Sequence, residues 1–210
     1  MHDRMAEFIV CITKNLPDMS ADVVQGWTDN PAALRKLLAR LCPSEASAVG
    51  FETWRTIKLG TGIKTAEAFR EAHETAGCRI GIWSDSILDK VASTTEDSEA
   101  TLALVNTSPA DLGLKNNAKR EDIHAQAFKH GLDLCPAEVG PQLRLQYLDQ
   151  PEGEWLIIAM NPIGDLYGYP HSFHIEHDAG NLWLNGDISH VDKKWDIESR
   201  WIFAQHYKHH

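Results

Sequence analysis

Histidine and carboxylate side chains crowd one stretch of this chain, HSFHIEHD at residues 171–178, with Asp187 and His190 close behind. Imidazole and carboxylate are the ligands that zinc and other divalent transition metals take. Spacing dictates how they could meet. On a strand, His171 and His177 share one face while His174 and Glu176 share the other. A compact metal site would therefore need His171 and His177 joined by Asp187 or His190 from the next strand. The H-E-x-x-H spacing of helical zinc sites is absent. A metal-dependent hydrolase built on His171, His177, Asp187 and His190 is one expectation. Half-exposed polar residues on an edge strand are the simpler one.

Two further groups could do chemistry. Cys135 has Glu138 three residues on and His124 and His130 on the preceding predicted helix. A cysteine nucleophile needs a histidine base and an orienting group. Its flanks, Leu134 and Pro136, carry no cation to hold a thiolate, so a buried, slowly reacting thiol is expected. Gln142, Arg144 and Gln146 alternate with Leu143, Leu145 and Tyr147. Read as a strand, this puts an arginine between two amides on one face, a ligand-binding candidate for a carboxylate or phosphate. The plainer reading is a solvated sheet face, with Arg144 exposed. The glycine-bearing runs at 59–62 and 139–141 match neither a P-loop nor a dinucleotide fingerprint.

The elements that must position these residues follow from periodicity and punctuation. Helices are predicted over 3–14, 21–27 and 31–41, the last starting at Asn30-Pro31, an N-cap followed by proline. Its Leu34, Leu37, Leu38 and Leu41 form one apolar face. Small and polar residues at 43–50 predict a boundary between a helical segment, 1–47, and an α+β domain, 48–210. In that domain we expect a strand at 52–59, a helix from Thr65 to Ala76 stopped by Gly77, and a second short helix over 80–91. A strand at 100–105 and a helix over 119–130 follow. A central hairpin of 142–147 with 155–160 comes next, then strands at 172–177, 182–188 and 200–205. Helices early and strands with tight turns late predict an α+β fold, its sheet mainly antiparallel or mixed with helices packed on it.

Composition bounds the rest. The chain has 210 residues and a formal net charge of −10, an acidic balance that opposes non-specific nucleic-acid binding. No apolar run reaches the ~18 residues of a membrane helix. Four cysteines, Cys11, Cys42, Cys78 and Cys135, are scattered without a CxxC pair, which fits reduced thiols in the cytoplasm. No constellation joins nucleophile, base and orienter. The residues therefore read as a non-catalytic binding protein needing no cofactor, its partner another protein or a second copy. The leucine face, with Leu34 and Leu38, and Trp195, set among Asp192, Lys193, Lys194 and Asp196, are the expected contact residues.

The runs TWRTIKLGTGIKTAEAFREA, GCRIGIW, LCPAEVGPQLRLQYLDQPEGEWLIIAMNPI and RWIFAQ resemble a family of bacterial proteins without an assigned activity. The resemblance spans roughly residues 51–205. It implies a short, soluble protein whose distribution suggests mobile genes, and it carries no catalytic residues.

Overall fold

The computed structural model describes residues 51–190 and 192–205. The predicted N-terminal helices, the boundary at 43–50 and the contact residues Leu34 and Leu38 lie outside the described residues. Within them the chain is a mixed helix-and-strand, α+β fold. No helix among the described residues is long and apolar enough to cross a membrane.

The first strand, β1 (Arg55–Leu59), leads to α1 (Ala66–Thr75), whose start and stop follow the sequence signals. Thr65 caps it by accepting the Ala68 amide at 3.1 Å, and Gly77 takes the positive φ of +71° that ends it. The single helix predicted over 80–91 is instead a short strand and two short helices: β2 (Cys78–Ile80), α2 (Ile82–Asp85) and α3 (Leu88–Ala92). The next elements are β3 (Ala100–Thr107), β4 (Ala118–Lys119), α4 (Arg120–Lys129) and β5 (Leu132–Asp133). Then come α5 (Val139–Gln146), β6 (Trp155–Ile158) and β7 (Ile163–Gly164). The chain closes with β8 (Pro170–Asp178), β9 (Asn181–Ile188), β10 (Lys194–Trp195) and β11 (Arg200–Gln205).

Among the described residues, one nine-stranded mixed sheet carries the order β1-β3-β11-β6-β8-β9-β2, with β5 beside β11 and β7 beside β8. Most neighbours run antiparallel, but β11 with β6 and β2 with β9 are parallel. The β8–β9 turn is Ala179-Gly180, both at positive φ, the geometry a two-residue hairpin favours. Period-two alternation divides the apolar residues between two faces. Ile57, Leu102, Ile202, Leu156, Ile175 and Leu184 pack on one side with Phe69 of α1, Leu88 of α3 and Leu143 of α5. Val105, Phe203, Trp201 and Ile157 pack on the other with Ile123 and Ala127 of α4.

The predicted hairpin of 142–147 with 155–160 is the main correction. β6 is a strand, but residues 139–146 form helix α5. Over six residues, alternation of leucines with polar groups cannot be told from part of a helical turn pattern. The wider frame decides it, because Glu138, Gln142 and Gln146 recur at i, i+4 and i+8. Pro141 is tolerated since it falls in the first turn, where amides have no intrahelical acceptor. Val139 to Arg144 are all buried, so the helix is enclosed on every side. At Gly140 a Cβ would sit 2.4 Å from the Phe173 ring, which is how closely α5 lies on β8.

Candidate functional site

The helix redirects all three residues of the candidate ligand face. Gln146 Nε2 donates to the Lys58 carbonyl and its Oε1 accepts the Lys58 amide, both at 2.8 Å. Gln142 Nε2 donates to Thr61 Oγ1 at 2.8 Å and to Glu138 Oε1 at 3.1 Å. Glu138 accepts the Gly60 amide at 2.8 Å and the Glu96 amide at 2.9 Å. This polar stripe therefore fastens α5 to β1 and to the loop before β3. Arg144 is fully buried, not exposed. It donates to the Tyr147 carbonyl and to Gln150 Oε1, with the Glu176 carbonyl 3.5 Å away. Burial lowers its pKa, an effect only partly countered by Cys78, Tyr147 and Glu154.

The metal candidates are placed apart. His171 and His177 share a face of β8, but they stand six positions apart, roughly 20 Å of strand. His171 Nε2 lies 3.1 Å from Asp165 Oδ2. His177 donates to the Gln150 carbonyl at 2.6 Å and meets Glu152 at 3.1 Å. Asp187 stands opposite Ser172, on the other face, and pairs with Lys193. His190 is exposed. Among the described residues no three His, Cys, Asp or Glu side chains are grouped as ligands for one ion. His174 shares the face of Asp187, edge-on to Trp155 at 5.0 Å. Burial drives its pKa down to about 4, against the pull of Asp187.

Cys135 is buried, with its thiol on the Ile202 carbonyl at 3.4 Å. Burial pushes that thiol well above the ordinary range. The candidate base histidines face elsewhere, His124 edge-on to Trp201 and Phe203, and His130 to Phe51. Iodoacetamide at neutral pH is expected to leave Cys135 unmodified in the folded protein, because the nucleophilic thiolate is scarce and enclosed. Selective alkylation within minutes, read by mass spectrometry, would contradict this. Trp195 is also buried rather than exposed. Pairing of β10 with β4 turns Trp195 inward and Lys194 out, against Trp201 at 5.2 Å. Charged neighbours in sequence did not report its face.

The apolar surface that is exposed lies elsewhere. The loop between β7 and β8 carries Leu166 at 90% exposure, Tyr167 at 86% and Tyr169 at 59%. Also exposed are Trp83 at 45% and Ile188 at 38%, and Ile82, next to Trp83 in sequence, at 76%. His171 ties these together. Trp83 stacks on its ring, 5.1 Å between centroids and 15° between planes. Ile188 and Ile163 are its strand partners. The loop is fastened from inside by buried Asp165, whose Oδ1 accepts the Tyr167 amide at 2.8 Å and the Tyr169 amide at 2.9 Å. Lys90 of α3 adds a 2.6 Å bond to the Gly164 carbonyl. Leu166, Tyr167 and Tyr169 thus stand in solvent on a braced loop, with Trp83 and Ile188 partly exposed around His171. Between the strands expected at 155–160 and 172–177 the sequence predicts no element. The available signal was DLYGYP, where two tyrosines and a leucine occupy positions that loops usually give to polar residues.

Asp165 also gives the loop a pH limit. Burial raises its pKa, but the bonds from His171 and the Tyr169 and Tyr167 amides outweigh this and hold it below the ordinary carboxylate range. The stabilisation is present above the unfolded aspartate value, about 3.9, and is lost as pH falls through the lower folded value. On acidification below about pH 4, the Tyr167 and Tyr169 amides are expected to lose hydrogen-exchange protection before those of β6. Simultaneous loss would show that the carboxylate does not brace the loop.

Compared with known families, curated proteins and solved structures, the chain matches none.

Proposed function

We propose that this chain is a non-catalytic binding protein and that it meets a protein partner through the surface formed by Ile82, Trp83, Leu166, Tyr167, Tyr169 and Ile188. The observation that carries the proposal is their joint exposure. A chain seldom leaves large apolar side chains this exposed around one point of its surface unless something docks on them. Tyrosine and tryptophan are the side chains that dominate binding energy where proteins meet. The bracing of the loop by Asp165 lowers the ordering cost of association. Residence in the cytoplasm belongs to the same proposal, since Cys78 and Cys135 are free, buried thiols of a type that persists in reducing compartments.

The test uses paired baits, the wild-type chain and the double variant Leu166→Ser/Tyr167→Ser. Both side chains are almost wholly in solvent, so the variant should keep its stability to within about 0.5 kcal/mol. A Leu148→Ser variant, altered at an exposed leucine outside the surface, serves as the control. The proposal expects a partner retained by wild type and control and lost by the double variant. Identical retention on all three baits, or a double variant that melts well below wild type, would refute it.

A further inference from the structure

We infer that the other face of β8 carries a second site, in which Glu176, set between Trp155 and Trp183, binds a small quaternary ammonium ion. It is separate from the surface around His171, which lies on the opposite face of the strand. Strand register builds it. Glu176 stands opposite Trp155 of β6 and Trp183 of β9, and Trp183 stands opposite Arg79 of β2. Cross-strand partners share a face, so the two indoles flank one carboxylate in a single row. At about 4.8 Å per strand, the two tryptophan backbones lie roughly 10 Å apart. Helix α4 packs on this face beside Val105 and Phe203. At the Glu176 row, by contrast, Trp155 is 40% exposed and the Glu176 side chain 28%.

The charge of Glu176 is left without a counter-ion. Asn185 Nδ2 donates to its Oε1 at 2.5 Å. His174 Nε2 lies 3.8 Å from its Oε2, but burial holds that histidine's pKa at about 4, so it is uncharged at neutral pH. Among the described residues no lysine or arginine pairs with the Glu176 carboxylate. A carboxylate partly withdrawn from water and unpaired is costly. It therefore draws a cation, the more so in a chain of net charge −10.

The lining selects the kind of cation. Indole faces attract positive charge, and this side of the sheet already uses that attraction. Arg79 lies 5.3 Å over the Trp183 ring and Lys193 lies 3.9 Å over that of Trp195. Arg79 comes from β2, on the side of β9 away from β8. A primary ammonium brings three donors that need acceptors, and a single carboxylate already bonded to Asn185 supplies too few. Methyl groups spread the charge, need no acceptor and pack on indole, so a quaternary ammonium suits this row better.

Titration of the full chain with tetramethylammonium chloride through the millimolar range, at constant ionic strength, tests the inference. The readout is the indole N–H signals in nuclear magnetic resonance. Those of Trp155 and Trp183 should shift and saturate, whereas neopentyl alcohol, alike in shape but uncharged, should leave them in place. Glu176→Gln keeps an oxygen for the Asn185 amide, so it should fold as wild type does yet bind at least about tenfold more weakly. Trp155→Leu, read at Trp183, should weaken binding similarly. Leu166→Ser/Tyr167→Ser should bind the ion unchanged, which keeps this site distinct from the proposed protein-binding surface. No saturation in wild type, an equal response to neopentyl alcohol, or full affinity in Glu176→Gln overturns the inference. So does a trimethyllysine peptide that binds where the free ion does not.

Discussion

Arg144→Ala is expected to lower stability by about 3–5 kcal/mol and the melting temperature by roughly 10 °C. The side chain is fully buried within α5 and donates to the Tyr147 carbonyl and to Gln150 Oε1. Truncation removes a long side chain from a closed site and leaves both acceptors unpaired, at about 1–3 kcal/mol each, with a cavity term added. Gln150 also donates to the Glu154 carbonyl at 3.1 Å and the Ile175 carbonyl at 3.4 Å, so the damage should spread into β8. Arg144→Met separates the contributions. It fills most of the volume and relieves the cost of holding a cation out of water, so it should retain at least half of what alanine loses. Chemical denaturation of the three proteins checks this. If both variants lie within about 0.5 kcal/mol of wild type, the guanidinium is solvated and the buried placement is refuted.

The second large effect belongs to Gly140. A Cβ there would meet the Phe173 ring at 2.4 and 2.6 Å and Phe173 Cβ at 2.8 Å, so Gly140→Ala must push α5 off β8 or force Phe173 from its rotamer. Overpacking of this kind costs about 1–3 kcal/mol, set against the few tenths that alanine usually gains over glycine in a helix. Phe173→Leu, destabilising alone, should relieve the clash, so the double variant should be more stable than the sum of the two single changes. Strict additivity would mean that the two residues do not touch.

Those two residues mark where the sequence was hardest to read. Local punctuation was legible where one residue has one job. Thr65 and Gly77 bound α1, and Asp178 to Asn181 turns β8 into β9, because caps and turns depend on neighbours in sequence. The strands expected at 200–205 and 155–160, the second of which ends at Ile158, were legible because both their faces are apolar. Residues 142–147 were not, since a buried helix with polar groups at i and i+4 imitates alternation over one short window. What decides the case is the set of partners supplied by Lys58 of β1 and by Gly60 and Thr61 just after it, more than 75 residues earlier. Trp195 was misplaced for a related reason: its face is set by pairing with β4, a contact far away in sequence. The candidate metal ligands shared composition but not position, because a strand carries six residues over roughly 20 Å. The apolar loop at 166–169 was visible as residues but not as a surface. Exposure depends on Asp165 turning inward.

Gln146 has a consequence for how the sheet meets other chains. Among the described residues, β1 stands at one end of the strand order with β3 as its only ladder partner. A free strand edge is a template on which a foreign strand can grow, the usual start of edge-to-edge aggregation. The Gln146 amide occupies the N–H and C=O of Lys58 together, mimicking one residue of a neighbouring strand. An incoming chain would have to displace that amide before it could pair there. The glutamine that fastens the helix therefore also acts as a gatekeeper, keeping this margin of the sheet from seeding further strands.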